Sequence, residues 1–243
     1  MKMHVAADTA ALSRELADFI QQDIAEVLKT KDRYTLVLSG GNTPKQLYQL
    51  LASEAYRNNI PWEKLHFFWG DERFVPFEDS RNNAKMAFEE LLDKVPASRD
   101  HIHVMDTSLN PEASSEQYTE ALSAYFGNEG ATFDLVLLGM GDDGHTLSLF
   151  PGTAVVHENE KWVTAFYLDA QSMYRITLTA PVVNRASKVA FMAAGKNKAE
   201  VLKQVVNGDR NVDLYPSQII KPENGELHWF VDGDAASALA SAQ

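Results

Sequence analysis

A chain of 243 residues, 45% hydrophobic and 23% charged, is long enough to bury one large α/β core. Its net charge of −12 argues against nucleic acid as a partner, and the lack of any cysteine excludes disulfides and thiolate chemistry. No apolar run approaches the roughly 20 residues of a membrane-spanning helix and no leader pattern opens the chain, so the expected setting is cytoplasmic and away from membranes.

In chain order, Leu12, Leu16, Phe19, Ile20, Ile24, Val27 and Leu28 recur at helical spacing and predict an amphipathic helix over 8–29. A strand at 34–38, apolar on both faces, leads into a helix over 44–53. A second strand at 65–69 precedes a helix over 82–94, a strand at 101–104 and a helix over 111–126. A strand at 133–138 contains another run apolar on both faces, Leu135-Val136-Leu137-Leu138. Strands at 162–167, 174–178 and 189–193, a helix over 196–207 and a strand at 227–231 complete the pattern. This alternation predicts an α/β fold with a mostly parallel central sheet, read as one domain over 1–243. Ligands of such sheets bind where loops leave the carboxyl ends of strands.

Three loops in those positions carry unusual chemistry. The first is Ser39-Gly40-Gly41-Asn42-Thr43-Pro44. Thr43 is the expected N-cap, with Gln46 completing a capping box and Pro44 in the first turn. A helix start fronted by Ser39, Gly40, Gly41 and Thr43 is either a tight strand-to-helix turn or an anion site for phosphate. It lacks the Gly-Lys-Ser/Thr ending of a nucleotide loop. In the second, Trp69-Gly70-Asp71-Glu72-Arg73, aromatic neighbours partly desolvate two acids and an arginine, and such charges are kept where they pair or act. Arg73 offers a planar fork to a carboxylate, a phosphate or a developing oxyanion. Asn83, downstream, either hydrogen-bonds sugar hydroxyls or belongs to the helix start.

The third loop, Gly139-Met140-Gly141-Asp142-Asp143-Gly144-His145-Thr146, fits the G-x-G-x-x-G dinucleotide pattern. Asp142 and Asp143 would repel a pyrophosphate, however, and Pro151-Gly152 cuts the following helix short. The alternative chemistry is Asp143-Gly144-His145, a histidine with an acid two residues back, suited to general-base catalysis. No serine or cysteine nucleophile is spaced around it, so attack by water is the natural route. Arg175, inside an apolar strand, and Lys198, in the first turn of a helix, are locally unfavourable unless each meets an anion. With the glycine-rich helix start they form a candidate phosphate cradle. His101 and His103 share a strand face and Asp142-Asp143 offer oxygens, but neither completes a metal ligand set; no metal is expected.

Taken in order, Ser39-Gly40-Gly41-Asn42-Thr43-Pro44, Gly70-Asp71-Glu72-Arg73-Phe74-Val75-Pro76, Leu138 to Thr146, Arg175-Ile176-Thr177 and Gly195 to Ala199 resemble the 6-phosphogluconolactonase family, within the wider glucosamine-6-phosphate deaminase/isomerase superfamily. The resemblance runs from about residue 10 to 232. It implies a Rossmann-like three-layer αβα fold, no cofactor, and hydrolysis of a phosphorylated sugar lactone by histidine-activated water. It further implies that His145 is the base, Asp143 its orienting acid, and Arg73 a stabiliser of carbonyl charge, with Gly40, Gly41, Arg175 and Lys198 on the phosphate. Asp71 sits where the deaminases keep a catalytic acid. The deaminase alternative expects Tyr at Arg73 and a further glutamate after the histidine, where this chain has Thr146-Leu147-Ser148-Leu149-Phe150-Pro151. A non-catalytic sugar-phosphate sensor is the other alternative, and it would have no need of Asp143 and His145.

Overall fold

The computed structural model describes residues 1–127 and 132–241. Strand β1 (Lys2–Ala6) leads into helix α1 (Thr9–Val27), then β2 (Tyr34–Leu38), α2 (Asn42–Leu51), the short α3 (Glu54–Arg57), β3 (Leu65–Trp69), β4 (Asp71–Arg73) and α4 (Asn83–Ala87). The second half holds α5 (Pro111–Phe126), β5 (Leu135–Gly139), β6 (Val163–Leu168), β7 (Met173–Leu178), α6 (Ala180–Val183), β8 (Lys188–Ala193), α7 (Ala199–Asn207) and β9 (Glu226–Asp232).

Six strands form one parallel sheet in the order β1-β9-β8-β5-β2-β3. Side chains alternate across it with the two-residue period of a strand. Leu36 and Leu38 join Leu12, Leu16, Leu47 and Leu51 in a core under α1 and α2. Val37, between them, faces the opposite core with Tyr118, Leu122 and Phe126 of α5 and Leu202 of α7. Helices therefore cover both faces, which is why these strands read as continuous apolar runs. A layered αβα arrangement results. Asp8 caps α1 by accepting the Ala11 N–H at 2.7 Å, and Asn110 caps α5 ahead of Pro111.

Four features depart from the sequence reading. β1 was not expected: it is an edge strand pairing only with β9, and its Val5 is 55% exposed, so it carries little apolar signal. Residues 101–104 are not a strand but follow a 3-10 turn at Arg99–His101, with one bridge from Ile102 to Phe67. Asp71–Arg73 is a strand, not a loop. It joins β7 and β6 in a separate antiparallel sheet, order β4-β7-β6, beside the second core. The helix expected over 82–94 is α-helical only to Ala87 and then widens into a π turn at Phe88–Leu92, where the Asp93 N–H reaches Phe88 O.

The histidines at 101 and 103 bear on stability through His66. The rings of His66 and His101 stack at 3.9 Å between centroids, and His66 Nδ1 lies 3.4 Å from His103 Nε2. Burial first, then the charges of His101, His103 and Arg33, pushes His66 down from an ordinary 6.5 to about 4. A histidine kept neutral by the fold gains its proton on unfolding, so the unfolded state binds more protons between these values. Stability is expected to fall as pH drops from 6.5 towards about 4. Urea unfolding at pH 7 and pH 5 checks this: His66→Gln should lose less stability over that interval than the native chain.

Candidate active site

The parallel sheet changes winding direction between β2 and β5, and the loops leaving these two carboxyl ends diverge there to open a cleft. The cleft has a volume of about 190 Å³ and is lined by Ser39, Gly40, Gly41, Asp71, Arg73, Asn83, Gly139 to Gly141, His145, Leu147 and Arg175. All three singled-out loops contribute.

After β2 the chain turns at Gly41, whose φ of 108° is a conformation few side chains tolerate. Helix α2 consequently starts at Asn42, two residues earlier than expected. Gly41, not Thr43, holds the N-cap position, and no side chain caps the helix. Thr43 lies in the first turn and does not line the cleft. The N–H groups of Asn42 and Thr43 have no intrahelical acceptor, because helical bonds begin with Lys45 N–H to Gly41 O at 3.1 Å. Tyr48, which the sequence reading overlooked, fixes the approach to this turn: its hydroxyl accepts the Ser39 N–H and donates to Ser39 O, both at 2.8 Å.

Strand β4 explains the second loop. It runs antiparallel to β7 with Arg73 opposite Arg175 and Asp71 opposite Thr177. Alternation sends Asp71 and Arg73 to the cleft side and Glu72 to the other. Glu72 is buried, and it accepts the backbone N–H groups of Arg73 (2.8 Å), Asn83 (2.7 Å) and Ala84 (2.8 Å), tying the start of α4 to the strand. Burial pushes its carboxyl up to about 7 despite those three donors. Asn83 in turn donates from Nδ2 to Asp71 O at 2.9 Å and packs its amide against Gly40.

Arg175, a cation expected to need an anion, finds that anion and two further partners within the protein. Its Nη2 pairs with Asp71 Oδ2 at 2.9 Å, its Nε donates to Ser148 Oγ at 3.0 Å and its Nη1 to Gln171 Oε1 at 3.0 Å. The Ser148 hydroxyl donates to Asp71 Oδ2 at 2.6 Å, closing a buried network in which Arg175 and Asp71 are only 4% and 6% exposed. Burial alone would raise the Asp71 pKa, but Arg175, the Ser148 hydroxyl and Arg73 together hold it below its ordinary value. It is therefore an anion at neutral pH, unsuited to donating a proton. Arg73 is less committed. Its Nη1 donates to Arg81 O at 2.9 Å, while its Nε is buried without a partner among the described residues. An anionic ligand oxygen would satisfy that donor.

The third loop folds His145 back over Gly141. Gly141 N–H donates to His145 O at 2.8 Å, and no helix starts in residues 146–150, so the dinucleotide pattern lacks the helix N-terminus it requires. Asp143 Oδ1 lies 2.5 Å from His145 Nδ1 and accepts the His145 backbone N–H at 3.0 Å. Burial opposes the Asp143 charge, but the hydrogen bond and charge of His145 outweigh it and hold the carboxyl below its ordinary pKa. With Nδ1 engaged, Nε2 is the nitrogen left for a reacting molecule. Asp143 itself is outside the cleft lining, supporting the imidazole from behind.

Lys198 is also outside the lining. A 3-10 turn at Lys196–Lys198 precedes α7, so Lys198 is at the N-cap position and not in the first turn, and its anion is Asp142. The Lys198 hydrogen bond is the main reason the Asp142 carboxyl sits below its ordinary pKa. Among the described residues, no group of three or more His, Asp or Glu side chains is placed to hold a metal ion. A larger groove of about 590 Å³ runs between α5 and β6, but Glu112, Glu116, Glu120 and Glu160 line it and would repel a phosphate. No helix among the described residues is long and apolar enough to cross a membrane.

Residues 7–229 match the family model for glucosamine-6-phosphate isomerases/6-phosphogluconolactonase. A 6-phosphogluconolactonase of a Nostoc species is 38% identical over 242 residues, 98% of each chain. Its counterpart from a Synechocystis species is 40% identical over 220 residues, 89% of each. Among solved structures, the 6-phosphogluconolactonase of Trypanosoma cruzi superposes with a TM-score of 0.85 at 29% identity, covering 98% of this chain and 96% of that one.

Proposed function

Because the chain belongs to the family of glucosamine-6-phosphate isomerases and 6-phosphogluconolactonases, we propose that it hydrolyses 6-phospho-D-glucono-1,5-lactone to 6-phospho-D-gluconate, in the oxidative branch of the pentose phosphate pathway. The observation that carries this reading is the meeting, in one cleft, of a histidine backed by an aspartate, a partly unpaired arginine and an open helix start. The deaminase reading is weaker on the same ground. Asp71 is the one carboxylate lining the cleft among the described residues, and Arg175 and Ser148 already hold it.

In the proposed reaction, His145 Nε2 takes a proton from water as the water oxygen bonds to the lactone carbonyl carbon. Asp143 keeps the Nδ1 proton in place and stabilises the imidazolium that forms. Arg73 receives the negative charge on the carbonyl oxygen. Collapse of the tetrahedral intermediate breaks the bond to the ring oxygen, which leaves with the proton held by His145. The N–H groups at Gly41 to Thr43 hold the phosphate at the far end of the sugar, with the α2 dipole favouring its charge. Asp71 and Arg175 form the fixed wall on which Arg73 lies, and Asn83 sets the spacing of the glycine turn. The substrate is a small molecule, and no nucleic acid or membrane takes part. We infer a cytoplasmic setting for the reaction.

Lys198 is paired with Asp142 and has further N–H donors to offer a phosphate. Lys198→Ala is therefore expected to raise KM several-fold while leaving kcat within about twofold, since the phosphate is remote from the bond that breaks. Initial rates across substrate concentration separate the two; a fall confined to kcat would remove Lys198 from phosphate binding. Preincubation with EDTA is expected to leave the rate unchanged, and a loss restored by a divalent metal would overturn the water-and-imidazole chemistry. Lactone opening, corrected for spontaneous hydrolysis, should be measured beside ammonia release from glucosamine-6-phosphate. Catalysed opening without ammonia is expected; ammonia release without lactone opening would reverse the assignment.

A further inference from the structure

The turn that follows His145 contains a buried aromatic ring that none of the steps above employs. Phe150 lies against the imidazole of His145, with ring centroids 4.1 Å apart and 28° between the planes. The guanidinium carbon of Arg175 lies 5.6 Å from the centroid of the same phenyl ring. Asp143 grips His145 at one edge, through Nδ1. An edge contact alone leaves the imidazole free to swing about the line joining Nδ1 to the carboxylate. A ring packed on its face removes that freedom.

The frame carrying Phe150 is itself tied down at three points. Thr146 Oγ1 donates to Gly139 O at 2.8 Å, and the Leu149 N–H reaches Thr146 O at 2.9 Å. Ser148 is bound into the buried Asp71–Arg175 network. Between them, Leu147 adopts a φ of 54°, a conformation that costs a branched residue energy and persists only where its surroundings enforce it. A strained, over-determined turn that ends by laying a phenyl ring on the imidazole is a positioning device for that imidazole.

We propose that Phe150 is a positioning residue for the reaction: it holds the plane of His145 so that Nε2 points at the attacking water, while its π face favours the imidazolium that forms. The inference rests on the reading of His145 as the base. It assigns Phe150 no contact with substrate, so its loss acts on kcat and not on KM.

The test compares Phe150→Leu, which keeps an apolar side chain without a flat face, with Phe150→Tyr, which keeps the ring. Phe150→Met stands in for the leucine variant if that chain does not fold. The expected result is a fall in kcat of roughly tenfold for leucine or methionine, on the scale of a base misdirected part of the time. KM should stay within about twofold, and the tyrosine variant should recover most of the rate. A second readout is the proton NMR signal of His145 Nδ1–H, which Phe150→Tyr should retain and Phe150→Leu should broaden. Native kcat in the leucine and methionine variants, or equal losses with and without the ring, would overturn the proposal. A native chain that does not open the lactone would instead overturn the proposed function beneath it.

Discussion

Replacing His145 with alanine is expected to lower kcat by roughly 10²–10⁴-fold, the scale of a lost general base. The structure makes this a clean experiment. His145 is only half-buried, in a loop outside both apolar cores, so its removal leaves the sheet and its helices intact. The imidazole belongs to the loop after β5, whereas the helix start proposed to hold the phosphate follows β2, so KM should move little. Added imidazole should restore part of the rate, because the variant has an empty space beside Asp143 and an unaltered Arg73. Steady-state kinetics with and without imidazole measure both effects. An alanine variant that opens the lactone at the native rate would remove His145 from the mechanism.

Gly141→Ala is expected to lower kcat by about 10²-fold without unfolding the chain. A Cβ on Gly141 would stand 2.1 Å from His145 Nδ1 and 2.6 Å from Asp143 Oδ1, inside the contact that joins them. Both cannot stay in place, and misplacing a catalytic group by about 1 Å costs on this order. Gly141 does not have a positive φ, so alanine brings no left-handed backbone strain, and the contacts its Cβ meets first are those of the pair. The check is kcat beside a urea unfolding midpoint: the first should fall and the second should hold. A native kcat in this variant would mean that hydrolysis does not need the Asp143–His145 contact.

The strands that build the platform were legible because helices cover both of their faces. Leu36-Val37-Leu38 and Leu135-Val136-Leu137-Leu138 bury every side chain, and such runs can be read without knowing their neighbours. Asp71-Glu72-Arg73 could not be read this way. Three charged residues form a strand only because β7, far along the chain, lies beside them, and the alternation that separates Glu72 from its neighbours becomes visible once that pairing is known. The same holds for Arg175 and Lys198. Each was flagged as a cation needing an anion, which was sound physics, but the anions are Asp71 and Asp142 of the chain itself. Thr43 had the sequence of a cap, yet the positive φ of Gly41 starts the helix before it. Residues 101–104 alternate like a strand, but they form a single bridge before leaving the sheet. The acid-histidine pair was legible because its two members are adjacent but for one glycine. Phe150 was visible only as an apolar residue, since nothing local says which ring it will cover.

The proposed mechanism requires the lactone end of the substrate, and not its phosphate, to meet His145. A crystal structure of the chain with 6-phosphogluconate bound decides it most directly. The expected result places the phosphate on the N–H groups at Gly41 to Thr43, with the product carboxylate at hydrogen-bond distance, about 3 Å, from His145 Nε2 and Arg73. A phosphate seated at His145 with the carboxylate on the start of α2, or product bound along the groove between α5 and β6, would contradict it.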